Sequence, residues 1–98
     1  MIDACEVEDF IRRRWRGTEA RWDDGNCYWF AVILCSRFSE LKIYYIPVPG
    51  HFVAGDGTNF FDIYGLIDKR NYGDIIPLAT IKTKEKNWYS RLYRDCIL

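Results

Sequence analysis

Three residues of this chain could act chemically as a set: a cysteine ahead of an apolar stretch, the chain's only histidine, and an aspartate inside an aromatic run. Cys27 follows Gly25-Asn26, and Cys27, Phe30, Ala31, Leu34 and Phe38 fall at helical spacing on one face. The pattern predicts a helix to about Phe38 with Asn26 as its N-cap, so Cys27 takes the first helical position. A thiol attacks only as thiolate, and the partial positive charge of a helix N-terminus lowers its pKa. The same position equally suits a core cysteine on the inward face of the helix.

His51 follows Pro49-Gly50 at the start of a predicted strand, where an imidazole at the sheet's rim can meet a helix end. A lone histidine in a strand is commonly structural. Asp62 alters that balance, because it interrupts the run Phe60-Phe61-Asp62-Ile63 and a carboxylate there is costly unless paired. Strand alternation places Asp62 opposite Phe61 and Ile63, and in a hairpin with the His51 strand the two side chains share a face. In such a set Cys27 attacks, His51 holds and returns the proton, and Asp62 fixes the imidazole tautomer and stabilises its charged form.

The elements that must position these residues are legible from period and punctuation. Asp3 and Glu6 form a capping pair for a first helix over about 4–16, with Val7, Phe10, Ile11, Arg14 and Trp15 at helical spacing and Gly17 as its stop. Residues 22–26 read as a turn and 42–46 as a strand broken by Pro47 and Pro49. Residues 51–54 and 59–64 read as two further strands joined by a Gly55–Thr58 hairpin loop, with Gly65 closing the sheet. A loop is expected to about Gly73, an extended piece over 75–81 with Pro77 at an edge, and a last helix over about 84–95. That helix would carry Trp88, Leu92 and Cys96 on one stripe and Tyr89 and Tyr93 on the next, suiting either core or a helix–helix contact. The order predicts a single α+β domain, residues 1–98, with helices packed on a small antiparallel sheet.

Gly25-Asn26-Cys27-Tyr28-Trp29-Phe30-Ala31 resembles the active-site segment of transglutaminase-like proteins, where a Gly-Gln-Cys-Trp-type turn opens a helix. Gly50-His51-Phe52-Val53 resembles the histidine strand of that papain/transglutaminase-like superfamily, and Asp62 in Phe61–Gly65 resembles its third member. The order cysteine, histidine, aspartate is the same, and the arrangement also resembles small phage- and prophage-encoded proteins of this type. The resemblance spans about residues 22–66 and implies a minimal papain/transglutaminase-like core. It further implies a thiol-dependent hydrolase or acyltransferase for amides, isopeptides or esters, needing no cofactor. A protein or peptide substrate follows, a host protein being one candidate. The interval between Cys27 and His51 is far shorter than in full-size transglutaminases, and the chain contains no glutamine to serve as oxyanion donor. Backbone N–H groups near Cys27 with Asn26 or Trp22 would have to serve, although each is as well a cap or a packing residue. Tyr28 either lines the site or packs in the core, and so does Trp29.

Composition bounds the alternatives. The seventeen aromatics can build a compact core in 98 residues. Fourteen basic residues balance fourteen acidic ones, which disfavours nucleic-acid binding, and the arginine run 12–16 beside Glu6, Glu8, Asp9 and Glu19 reads as a solvated, ion-paired helix face. No apolar stretch suits a bilayer span, and the acidic N-terminus lacks a signal-peptide layout, so a cytoplasmic setting is expected, the host's if the protein is phage-encoded. Cys5, Cys35 and Cys96 then read as thiols, and no C-x-x-C suggests structural zinc. Cys27, His51 and Asp62 as three zinc ligands form a weaker alternative. A stronger one is a catalytically inactive inhibitor or binding module of the same fold, presenting Trp15, Trp22, Trp29, Trp88 or the C-terminal tyrosines as an exposed face. Asp23 and Asp24 either favour a cationic acceptor at a cleft mouth or cap the following helix.

Overall fold

The computed structural model describes residues 2–23 and 25–97, with the Cys96 side chain outside that description; the expectations for Asp24 and for Cys96 in the helix stripe therefore lie outside the described residues. The chain forms α1 (Ala4–Trp15), α2 (Glu19–Asp23), α3 (Cys27–Arg37), β1 (Lys42–Ile46), β2 (His51–Gly55), β3 (Phe60–Asp62), β4 (Gly65–Leu66), β5 (Ile76–Pro77), α4 (Leu78–Lys84) and α5 (Lys86–Leu92). A 3₁₀ turn at Lys69–Asn71 and a π-helical turn at Tyr93–Ile97 complete it. The fold is α+β, as the element order predicted, and the sheet runs β4-β3-β2-β1-β5 with every pairing antiparallel.

The first helix forms where its cap and stripe place it. The Asp3 carboxylate accepts the N–H groups of Cys5 (3.0 Å) and Glu6 (3.4 Å). Val7, Ile11 and Trp15 repeat at four-residue spacing and are buried. The arginines stay outside: Arg12 pairs with Asp9, and the Arg14 guanidinium lies 5.4 Å from the Trp15 ring centroid. Trp15 is the junction of the N-terminal half, its ring 4.8 Å from Phe30 of α3, 6.0 Å from Phe10 and 5.6 Å from Trp22 of α2. This anchoring of Trp22 explains why residues 19–23 form a helical turn where a plain turn was expected for 22–26.

Alternation sorts the sheet. Ile43, Tyr45, Phe52, Ala54 and Phe61 face the helices, joining Val7, Ile11, Phe30 and Leu34 on one side and Ile81, Leu92 and Ile97 on the other. Tyr44, Ile46, Val53 and Phe60 point the opposite way, and Ile67, Tyr72 and Ile75 from the segment after β4 cover them. The segment read as one strand over 59–64 is shorter: it ends at Asp62, turns, and returns as β4, so Gly65 opens a strand instead of closing the sheet. The Glu8 carboxylate accepts the Leu66 N–H at 3.0 Å, tying α1 to this edge.

The C-terminal third differs most from expectation. Only Ile76–Pro77 is extended, pairing with Tyr44 and Tyr45, and from Leu78 the chain is helical. Leu78, Ala79 and Lys82 are good helix formers, and Ile81 is drawn into the core beside Tyr45 and Phe52. The predicted helix over 84–95 is instead α5, set off from α4 by Glu85 at φ −129°, ψ 63°. That break turns Trp88 (ring 5.9 Å from Tyr45) and Leu92 inward. The stripe that suited a helix–helix contact is thus largely spent on the core. Among the described residues no helix is long and apolar enough to cross a membrane.

Because Trp15 joins three helices, Trp15→Ala is expected to cost about 3–5 kcal/mol, a large part of the stability of a domain this size. Urea denaturation followed by fluorescence would measure it, and a loss under about 1 kcal/mol would remove Trp15 from this role.

Candidate active site

Two turns deliver the site. Gly25, at φ 94°, adopts a left-handed backbone that favours glycine, and the chain then enters α3 at Cys27. Asn26 occupies the N-cap position, but its side chain does not cap the helix; its Nδ2 donates to the Arg21 carbonyl at 3.1 Å and ties α2 to α3. On the sheet side, residues 47–50 turn with the Gly50 N–H on the Ile46 carbonyl (2.9 Å), and Gly50 stands at φ 99°. His51 is therefore the first residue of β2, as Cys27 is the first of α3.

The His51 imidazole and the backbone N–H groups of Phe52 and Tyr28 are close enough to the Cys27 sulfur to draw its pKa down through hydrogen bonding. Burial is the largest influence on the Cys27 thiol and disfavours the thiolate. The His51 hydrogen bond, the Phe52 N–H, the imidazole's charge and the Tyr28 N–H together outweigh it, and the pKa lies below the ordinary value of 9.0. His51 moves the opposite way. Its hydrogen bond to Cys27 raises the pKa above 6.5, burial opposes this, and the charges of Cys27, Asp62 and Asp23 add to the rise. Opposed shifts of this kind favour a thiolate–imidazolium pair.

Behind the ring, Asp62 Oδ2 lies 3.8 Å from His51 Nε2, and both side chains are only 14 % exposed. Continuing the β2–β3 register by one residue sets Asp62 opposite Val53, so Asp62 and His51 are diagonal neighbours on one face. The other carboxylate oxygen, Oδ1, accepts the Tyr64 N–H at 2.9 Å and fixes the turn into β4. Burial raises the Asp62 pKa; the Tyr64 N–H and the imidazole offset this in part, and the charge of Asp23 adds to the rise.

The sequence offers Asp23 as a carboxylate at a cleft mouth or as a cap for the following helix, and not as a partner of His51. The Asp23 Oδ1 lies 3.9 Å from the same Nε2, and its side chain is 44 % exposed. A cleft of about 300 Å³ beside the ring is lined by Asp23, Pro49, His51, Asp62, Tyr64 and Tyr72. The signal that could have found Asp23 was its nearness in sequence to Cys27. An acid in a Gly/Asn turn has too ordinary an explanation for that signal to stand out.

The remaining candidates make other contacts. The Trp22 ring packs on Trp15, and the Asn26 amide is engaged with Arg21, so neither side chain is committed to the space above Cys27. Tyr28 packs its ring 5.3 Å from Phe52, while Trp29 beside it is 47 % exposed. Cys35 is half-buried and its thiol is pushed up to about 11, chiefly by burial. Among the described residues no three His, Cys, Asp or Glu side chains are grouped as metal ligands.

The sequence family described as phage YunG-like protein matches residues 11–95. The chain belongs to this family. The matched stretch holds Cys27, His51, Asp62 and Asp23, so the YunG-like region and the thiol–imidazole cluster coincide. No curated protein and no solved structure matches the chain.

In a Cys5→Ser, Cys96→Ser background, iodoacetamide is expected to label Cys27 with an apparent pKa below 9.0, and Cys35 only as the pH nears 11. His51→Ala should move the Cys27 midpoint upward; identical titration of the two thiols would contradict the geometry. Asp62 also has a consequence for stability. Its folded pKa is raised, so the folded state holds its proton more tightly, and stability falls as pH rises from 3.8 through the folded value. Asp62→Asn keeps an acceptor for the Tyr64 N–H and is expected to melt no lower than wild type at pH 7, while slowing Cys27 alkylation. A clear drop in melting temperature would count against this assignment.

Proposed function

We propose that this phage YunG-like protein is a papain/transglutaminase-like thiol hydrolase or acyltransferase, acting through Cys27, His51 and Asp62 on an amide, isopeptide or ester. The observation that carries the reading is the placement of the His51 imidazole against the Cys27 thiol, with Asp62 3.8 Å from the ring and the thiol and imidazole each shifted toward the ion pair. A cysteine kept only for packing gains nothing from an imidazole, and Cys35, buried without one, shows the opposite shift.

The reaction then follows from the positions. The Cys27 thiolate attacks the carbonyl carbon, forming a C–S bond while the π-electrons move to oxygen. The N–H groups at the start of α3 have no intrahelical acceptor and can receive the oxyanion, in place of the absent glutamine. His51 gives its proton to the departing amine or alkoxide as the carbon–heteroatom bond breaks, leaving a thioester on Cys27. Water or an amine attacks that thioester, His51 takes the attacker's proton, and the thiolate leaves. Asp62 holds the ring and stabilises its positive charge throughout.

A second reading, a binding module of the same fold, draws on the half-exposed Trp29 in the first turn of α3. One comparison separates the two. Purified protein is screened against fluorogenic peptide amides, an isopeptide panel and activated esters, with and without a primary amine. Cys27→Ala is expected to abolish turnover, and His51→Ala to lower it by about 10²–10⁴-fold. Turnover unchanged by Cys27→Ala would sink the enzyme reading. A partner bound equally well by Cys27→Ala but lost in Trp29→Ala would establish the binding module in its place.

A further inference from the structure

His51 Nε2 carries one hydrogen-bonding position, yet two carboxylates stand at nearly equal distance from it, Asp62 at 3.8 Å and Asp23 at 3.9 Å. They reach it from different elements and in different solvation. Asp62 comes from β3 and is mostly buried, with one oxygen committed to the Tyr64 N–H. Asp23 comes from the last residue of α2 and is half exposed. The groups facing the imidazole are Cys27 from α3, Asp62 from β3 and Asp23 from α2, with Tyr64 and Tyr72 across the adjoining cleft.

We propose that Asp23 is a second positioning carboxylate for His51, holding the imidazole from the solvent side while Asp62 holds it from within. The proposal rests on the thiol–imidazole reading given above and adds a residue to it. The helix that carries it, α2, gives no reason for an acid at this point. A carboxylate at a helix C-terminus is electrostatically misplaced, so α2 gains nothing from it. Among the described residues its carboxylate meets no lysine or arginine, and His51 is its ion-pair partner. The segment is also held in place. The Trp22 ring is 5.6 Å from Trp15, the Trp22 N–H bonds the Thr18 carbonyl at 3.1 Å, and Asn26 Nδ2 bonds Arg21. A fixed α2 delivers the next side chain, Asp23, to the ring at the rim of the cleft.

The division of labour follows from exposure. The charge of Asp23 acts through solvent and weakens with salt, whereas that of Asp62 is screened far less. Either carboxylate alone can keep the ring oriented toward Cys27, so their losses should compound.

The test uses wild type, Asp23→Asn, Asp62→Asn, the double variant and Asp23→Glu. The imidazole is titrated by NMR, where the chain's single histidine gives an unambiguous signal. Cys27 alkylation is timed near pH 6 on the same samples. Asp23→Asn is expected to lower the imidazole midpoint and slow alkylation about threefold at low salt, with the effect fading toward 1 M salt. Asp23→Glu should restore most of it, and the melting temperature of Asp23→Asn should not fall. The double variant should lose more than the product of the single losses, on the order of tenfold or beyond. A histidine titration in Asp23→Asn that superimposes on wild type would overturn the proposal, as would a double variant indistinguishable from Asp62→Asn. The two readings fail separately. Alkylation indifferent to His51→Ala removes the catalytic reading, whereas an imidazole midpoint unmoved by Asp23→Asn removes only the role of Asp23.

Discussion

The contact between the Cys27 thiol and the His51 imidazole is the constraint on which the other features of this fold turn. Each residue is the first of its element, so the contact exists only if the N-terminal end of α3 and the leading end of β2 coincide. That coincidence is set by packing: α3 lies along β2, with Phe30, Ala31 and Leu34 against Ala54 and Phe61. The Tyr28 ring on Phe52 locks the register at the leading end, where the Phe52 N–H also reaches the sulfur. A slip of one residue in β2 would turn His51 to the other face and expose Phe52. The apolar core and the polar site are thus specified by the same alignment.

Energetically the site and the core pull in different directions. The core gains from burial, with Trp15, Phe30, Phe52 and Phe61 almost wholly out of water. The site is disfavoured by it: burial is the largest influence on both Cys27 and Asp62, and in each it opposes the charged form. What offsets it for the thiol is a set of directed groups, namely the imidazole and two backbone N–H groups. For Asp62 the single N–H of Tyr64 and the imidazole offset it only in part. A chain of 98 residues has little stability to spare. Charge placed at this depth therefore stands out against a sequence that otherwise keeps its charges outside.

That contrast explains what could be read from the sequence. The helix over 27–38 and the strands beginning at 42, 51 and 59 announce themselves through apolar period, and Asp62 through its misfit among aromatics. Each is a local signal. Asp23 gives only an ambiguous one, because an acid in a Gly/Asn turn is ordinary and its place beside His51 depends on Trp22 reaching Trp15, a tertiary contact. The same holds for the break at Glu85: no glycine or proline marks it, and the backbone leaves the helix so that Ile81 and Leu92 can both enter the cluster around Tyr45 and Phe52. Pro77 illustrates a residue with two uses, since it pairs with Tyr44 at the sheet edge and is also the residue before α4. Its edge-strand use was legible; the helix after it followed from tertiary burial.

The weight between enzyme and binding module rests on the same physics. A binding surface needs exposed apolar area, which Trp29 and Tyr93 supply without any help from the thiol. It has no use for a carboxylate held at a raised pKa behind an imidazole, nor for a thiol drawn below its ordinary value. Shifts of this kind cluster at sites where charge moves during a reaction. Trp29, exposed in the first turn of the helix that carries the thiol, also fits an enzyme, since a polymer substrate must be gripped close to where its carbonyl is attacked. The catalytic reading thus accounts for both sets of residues, and the binding reading for one.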